Sequence, residues 1–191
     1  PQELFEVEYP AKGNPELAKE TAELLAPTSV IETDSWGLDH GAWSVIKHLY
    51  PAANIPVIQM SIDYTQAAQY HFDLAKKLQK LREKGILIIG SGNVVHNLRM
   101  IDWKNINTVG AGWDLAIEAR AKTNEWILDG NFQNLIHFEK QGTALQNAIP
   151  TPDHYLPLIY TLGLKEKSDK ISLFNDELIG GSLSMTSVFV G

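Results

Sequence analysis

The chain has 191 residues, a length that favours a single domain. Hydrophobic residues make up 44% and charged residues 20%, which is typical of a globular protein. Cysteine is absent, which excludes a disulfide scaffold, a thiolate zinc site, an iron–sulfur cluster and a cysteine nucleophile. The net charge is -7 and no stretch is rich in Lys or Arg, so we expect no nucleic-acid partner.

The same features bear on where the protein acts. No apolar run in the sequence is long enough to cross a membrane, so we expect no membrane partner. A chain without cysteine is compatible with the cytoplasm, and an oligomer is possible. Residue 1 is Pro1 rather than methionine, so we expect the chain to be part of a longer polypeptide.

Helical patterns recur along the chain. Asn14 and Pro15 predict the N-cap and first turn of a helix that ends near Pro27. Residues 65–84 place apolar side chains on one face, and Gly85 predicts the end of that helix. Further helices are predicted over residues 42–50, 113–138 with an interruption near Asp129, and 153–164.

Short apolar runs between these helices predict strands. The runs are residues 29–33, 55–62 and 86–90, and two closing strands are predicted over 171–174 and 183–190. Strand, helix and strand with short joints predict an α/β fold with a mostly parallel central sheet flanked by helices in three layers. We expect residues 1–191 to form one α/β catalytic domain.

Three of the six histidines lie in junctions rich in Gly or Pro. His40 follows the predicted strand 29–33, His96 follows the strand 86–90, and His154 lies near the start of a short helix. Ligands of α/β sheets bind beyond the carboxyl ends of strands, and imidazole binds metals or transfers protons near pH 7. Three converging histidines would suit a metal site, whereas the alternative for each alone is a solvated residue or helix cap.

The remaining candidates indicate less. His48, His71 and His137 fall in helical segments and are interpreted as structural or surface residues. Ser91 lies between two glycines but lacks the Gly-x-Ser-x-Gly pattern of serine hydrolases, and no phosphate-binding glycine motif is present. Tyr155, beside His154, is a candidate to line an aromatic pocket, with core packing as the alternative.

Four ordered motifs carry a resemblance over nearly the whole chain. They are SWGLDHGAW at 35–43, SGNVVHNL at 91–98, TPDHYLPL at 151–158 and GSLSM at 181–185. With them the sequence resembles the class III extradiol ring-cleavage dioxygenases, the superfamily of the protocatechuate 4,5-dioxygenase catalytic subunit. Within it, the sequence is most similar to the bacterial 4,5-DOPA dioxygenase-like branch.

The resemblance implies an α/β fold and one divalent metal, Fe(II) for catalysis or Zn(II) as bound. It implies that His154 is a metal ligand. It also implies that His96 is either the acid–base residue, as in the iron enzymes, or a metal ligand, as in the zinc-bound branch. His40 is implied to face the substrate, and we add Tyr155 as a candidate substrate contact.

The resemblance also implies two further histidine ligands in an N-terminal segment, within a Gly-His-Gly-Ser-Pro and a Ser-x-His motif. Neither motif occurs in these 191 residues, which correspond to the C-terminal two-thirds of the family domain. A mononuclear site normally has three protein ligands, so we expect this chain alone to bind metal weakly and its activity to be doubtful.

The predicted function is an extradiol dioxygenase that opens a catecholic, DOPA-like ring with O₂. The alternatives are a zinc-binding hydrolase and a non-catalytic metal-binding paralogue of the same fold. Zinc does not exchange electrons with O₂, so metal analysis and oxygen uptake separate these readings.

Overall fold

The structure is a computed structural model that describes residues 2–191, so Pro1 lies outside the described residues. These residues form two compact units, one ending at Ser61 and one spanning Ile62–Gly191. Each unit is described by itself, and the single catalytic domain over residues 1–191 stays a prediction. No helix among residues 2–191 is long and apolar enough to cross a membrane.

The first unit contains two helices after an opening 3-10 turn at Gln2–Glu6. Helix α1 spans Pro15–Leu25, and the side chain of Asn14 accepts a hydrogen bond from the Leu17 amide at 3.0 Å, which confirms the predicted cap. Helix α2 spans His40–Leu49.

The second unit carries the remaining helices. They are α3 at Ala68–Lys77, α4 at Gln79–Glu83, α5 at Asp114–Leu128, α6 at Phe132–Ile136, α7 at Thr143–Ala148 and α8 at Leu156–Gly163. The interruption near Asp129 is confirmed. The prediction of a single helix over 65–84 is wrong in one respect, because the segment divides at Leu78 into α3 and α4. There the Leu78 amide donates to the carbonyl of Ala75, three residues back, which is the tighter 3-10 spacing.

The strands of the second unit form two small antiparallel pairs. Strand β1 at Ile171–Phe174 pairs with β4 at Ser187–Val190, and β2 at Leu178–Ile179 pairs with β3 at Leu183–Ser184. A single parallel bridge joins Gly112 to Gly181. The fold is therefore mixed α/β, but a mostly parallel central sheet is not shown within residues 2–191.

The predicted strands over 29–33, 55–62 and 86–90 have no ladder partner among the described residues. In the run 86–90, Leu87 is 59% exposed and Ile89 is 41% exposed, although an all-apolar run predicts cover on both faces. An apolar run favours an extended backbone. A β-sheet also requires a second segment to form hydrogen bonds with that backbone, and the local sequence pattern does not indicate one.

The core of the second unit surrounds α8. Helix α3 packs against α8, and Nδ1 of the buried His71 lies 3.0 Å from the hydroxyl of Tyr160. Fully buried aliphatic residues from five segments complete this core: Val95, Ile127, Leu135, Leu145 and Ile159. This packing fixes the turn before α8, which carries His154.

Candidate active site

The turn before α8 presents His154 at the surface of the second unit. The carbonyl of Pro152 accepts hydrogen bonds from the amides of Tyr155 and Leu156, at 2.9 and 2.8 Å, and these bonds form the turn. Pro157 follows in the first turn of α8, where it requires no amide donor. The side chain of His154 is half-exposed.

The glycines before His96 allow a second segment to contact this turn closely. A Cβ atom at Gly92 would overlap the carbonyl oxygen of His154, and one at Gly90 would lie 2.5 Å from the carbonyl oxygen of Pro157. The amide of Asn93 donates to the His154 carbonyl at 2.9 Å. The absence of a side chain at these two glycines therefore allows the segment before His96 to approach the turn that holds His154.

His96 is buried, with 3% of its surface exposed. Its Nδ1 lies 3.0 Å from the carbonyl oxygen of Asn93, and its Nε2 lies 3.0 Å from that of Thr151. A neutral imidazole has one N–H, so it donates to one of these carbonyls and faces the other with a lone pair. Burial and the neighbouring His154 lower the pKa of His96. The hydrogen bonds to the two carbonyls act to raise it, but their effect is smaller, so the pKa is lowered overall.

The structure brings His96 and His154 together. Their ring centroids lie 5.1 Å apart, with an angle of 41° between the planes. This proximity is what the metal-site hypothesis requires of two residues separated by 57 other positions in the chain.

A carboxylate orients His154. Nδ1 of His154 lies 2.7 Å from Oδ2 of Asp153. Burial acts to raise the pKa of Asp153, but a hydrogen bond from Thr151 and the nearby histidines outweigh it, so the pKa of Asp153 is lowered. Nε2 of His154 has no hydrogen-bond partner among residues 2–191, so this nitrogen is the one available to a ligand.

The two histidines border a pocket of about 220 Å³ in the second unit. Its lining is His96, Asn97, Leu98, Arg99, Pro150, Thr151 and His154. The volume is below the roughly 300–1,000 Å³ typical of drug-sized ligand sites, so the pocket suits a part of a molecule about as large as one aromatic ring.

Asn97 holds the wall of this pocket in place, a role that no motif in the sequence indicates. Its side-chain Nδ2 donates to the Asn147 carbonyl at 2.6 Å, and its side-chain Oδ1 accepts from the backbone amide of Arg99 at 3.1 Å. Its own carbonyl accepts from the Ser182 hydroxyl at 2.8 Å. Asn97 thus joins the His96 segment to the C-terminal turn of α7 and to the GSLSM motif.

Tyr155 does not border the pocket. It is fully buried, its hydroxyl donates to the Leu135 carbonyl at 3.0 Å, and its ring lies 4.8 Å from that of Phe138. Burial raises its pKa strongly. We therefore correct the prediction that Tyr155 contacts substrate: in this structure it packs in the core, the alternative that the sequence left open.

His40 lies in the first unit as the first residue of α2 and is exposed. The side chain of Asp39 caps this helix by accepting from the Ala42 amide at 2.8 Å, and it also accepts from the Gln59 amide group at 2.7 Å. The local turn of the Asp-His-Gly motif is therefore fixed from both sides by hydrogen bonds within the first unit.

The residues fit a metal in part. His154 fits well, because metal-binding histidines commonly donate their other ring N–H to a carboxylate. His96 fits less well as a ligand, because both of its ring nitrogens face backbone carbonyls. Within residues 2–191 no group of three His, Asp or Glu side chains is placed to hold a metal, so a complete coordination set is not found there.

Comparison with known proteins agrees with the four motifs. Residues 2–187 match the family described as the catalytic LigB subunit of aromatic ring-opening dioxygenase. The chain is 41% identical over 194 residues to the 4,5-DOPA dioxygenase extradiol of Escherichia coli (strain K12), covering all of this chain and 70% of that protein. It is 32% identical to the 4,5-DOPA dioxygenase extradiol of Beta vulgaris, covering 98% of this chain and 69% of that protein.

A solved structure has the same fold. The crystal structure of the uncharacterized protein JW3007 from Escherichia coli K12 matches with a TM-score of 0.82 and 37% identity, over 95% of this chain and 75% of that chain.

Proposed function

The chain belongs to the family of the catalytic LigB subunit of aromatic ring-opening dioxygenase, an oxidoreductase family, and from this membership we propose that the complete protein opens a catecholic ring with O₂. We propose extradiol cleavage of a DOPA-like substrate, because the similar E. coli and Beta vulgaris proteins carry that name. One observation of the structure carries the proposal: the rings of His96 and His154 lie 5.1 Å apart beside a pocket.

We propose that His154 is a ligand of one divalent metal. Support comes from Asp153, which holds Nδ1 and leaves Nε2 toward the ligand. When bound, the metal supplies a Lewis acid and a template that holds the diol and O₂ in contact, and Fe(II) is the species we propose for catalysis. The resemblance implies further histidine ligands, and their two motifs do not occur in these 191 residues.

We assign His96 to proton transfer. In the neutral form of His96, one ring nitrogen carries no hydrogen and faces a carbonyl oxygen with its lone pair. Protonation of this nitrogen therefore creates a hydrogen bond to the carbonyl. When Nε2 turns from the Thr151 carbonyl toward the pocket, this base can accept the proton of a catechol hydroxyl and return it later in the reaction. His40 stays a proposed hydrogen-bonding contact to the substrate.

The test compares Fe(II) with Zn(II) in the complete protein. We expect the anaerobically Fe(II)-loaded protein to consume O₂ when a catechol is added and to form a yellow ring-opened product, whereas the Zn(II)-loaded protein consumes none. Cleavage of an ester or amide substrate by the Zn(II)-loaded protein, with no oxygen uptake on a catechol by either form, would favour the hydrolase alternative. Absence of turnover with either metal would favour a non-catalytic paralogue.

A further inference from the structure

The residues that line the pocket beside His96 and His154 include one with a permanent charge. Among its lining residues only Arg99 is always cationic, and none is acidic. The nearby Asp153 carboxylate is engaged by His154. A cation that lines a pocket in which no lining residue is acidic favours an anionic ligand group.

The guanidinium of Arg99 has no structural task within the described residues. Its side chain makes no hydrogen bond or ion pair among residues 2–191. The other two arginines of the second unit both form ion pairs: Arg82 binds Asp169 at 2.6 Å and Arg120 binds Asp176 at 2.8 Å. Arg99 therefore keeps its donors available to a molecule in the pocket.

The backbone that carries Arg99 is held firmly. Arg99 is the middle residue of a 3-10 turn at Leu98–Met100, and its amide donates to the capping side chain of Asn97. The carbonyl of Met100 accepts from the indole of Trp113 at 2.7 Å. The turn is fixed at both ends, so the Cα atom of Arg99 has a defined position in the wall of the pocket.

We propose that Arg99 binds the carboxylate of the substrate's side chain and so selects catechols that bear an anionic substituent. The inference rests on the proposed function, because it assumes that the aromatic diol occupies this pocket. A guanidinium presents paired N–H donors that match both oxygens of a carboxylate, a geometry that lysine does not reproduce. Leu98 and Pro150 line the same pocket and offer apolar contact to the ring.

The test separates the carboxylate from the rest of the substrate. The Fe(II)-loaded complete protein is assayed with 3-(3,4-dihydroxyphenyl)propionate, which has a carboxylate, and with dopamine, which has none. We expect Arg99→Gln to raise KM for the carboxylate substrate by roughly 5- to 30-fold, less than loss of a buried charged hydrogen bond implies because Arg99 is exposed, and to leave KM for dopamine within about twofold. Arg99→Lys should give an intermediate KM because it keeps the charge alone.

A matched control removes the same charge elsewhere on this surface. Lys104 lies in the next 3-10 turn, Trp103–Asn105, and does not line the pocket. Lys104→Gln should leave KM for both substrates unchanged. An equal rise in KM in Lys104→Gln and Arg99→Gln would mean that only the overall charge of the surface matters, and it would overturn the proposal. An equal rise in KM for both substrates in Arg99→Gln would also overturn it.

A binding measurement distinguishes failure of this inference from failure of the proposed function. Calorimetric titration under anaerobic conditions uses 3-phenylpropionate, which has the carboxylate but no diol. Tighter binding to wild type than to Arg99→Gln supports the inference even if no catechol is opened. Ring opening by wild type together with equal binding of 3-phenylpropionate to both proteins overturns the inference and leaves the proposed function standing.

Discussion

A carboxylate oxygen of Asp153 lies 2.7 Å from Nδ1 of His154, the next residue in the chain. In the proposed metal site this contact decides which nitrogen of His154 would bind the metal, because it engages Nδ1 and leaves Nε2. The partner is adjacent in sequence, so the Asp-His pair in TPDHYLPL is a signal that sequence reasoning could have used.

The first prediction concerns that contact. Asp153→Asn replaces the carboxylate by an amide and should weaken metal binding to the complete protein by about tenfold, the lower end of the effect usual for such partners, because the pair is half-exposed. Competition titration with a chromophoric chelator measures the metal Kd. The control is Asp73→Asn, which removes a similarly exposed carboxylate bound to Lys76, and a similar loss of metal affinity there would contradict the account.

The second prediction concerns the close contact at Gly92. A Cβ atom there would overlap the His154 carbonyl oxygen, so Gly92→Ala must displace the turn. We expect the free energy of unfolding to fall by about 1–3 kcal/mol, as overpacking usually costs. Urea denaturation measures the change. Gly13→Ala, where no atom lies within 4 Å of the added Cβ, should change the stability by less than about 0.5 kcal/mol.

The third prediction concerns pH and Asp176. Arg120 binds this carboxylate through two hydrogen bonds of 2.8 and 2.9 Å, and with Asn124 and Thr186 it holds the pKa of Asp176 well below its usual range, although burial acts to raise it. A lowered pKa stabilises the fold above the unfolded value of about 4, and this stability is lost as pH falls from there toward the folded pKa.

Asp176→Asn tests this linkage. At pH 7 the variant should be less stable by about 1–2 kcal/mol, a value kept small because both side chains are partly exposed. Urea denaturation at pH 7 and pH 3 should show the difference from wild type shrinking at the lower pH. A difference that stays constant would mean that the charge of Asp176 contributes no stability.

The fourth prediction concerns the buried pair His71 and Tyr160. Tyr160→Phe removes the hydroxyl 3.0 Å from Nδ1 of His71 and leaves a buried ring nitrogen without that partner, which should cost about 1–3 kcal/mol. Tyr64→Phe is the control, because Tyr64 is 65% exposed. If thermal denaturation shows both variants equally stable, the hydrogen bond contributes nothing.

The sequence predicted local features of the fold well. The cap at Asn14, the end of a helix at Gly85 and the strand over 171–174 depend on backbone preferences of a few neighbouring residues, and all three are observed. The parallel sheet was inferred from apolar runs alone. A run such as 86–90 reports that side chains are apolar, but it carries no information about which segment pairs with it.

The candidate site was predictable where a motif names the residue and not where tertiary packing assigns the role. His96 and His154 were identified from their motifs, and their rings are adjacent in the structure. Tyr155 was misassigned because burial against Phe138 depends on distant segments. Asn97 and Arg99 border the pocket only because the end of α7 and the loop that follows it pack beside their segment, which no local motif indicates.

The most direct test of the account follows oxygen atoms. The complete Fe(II)-loaded protein is supplied with a catechol and ¹⁸O₂, and the product is analysed by mass spectrometry. The account predicts a ring-opened product whose new carboxylate carries labelled oxygen, and loss of this product in His154→Ala. An unlabelled ortho-quinone, formed while oxygen is merely reduced, would contradict it.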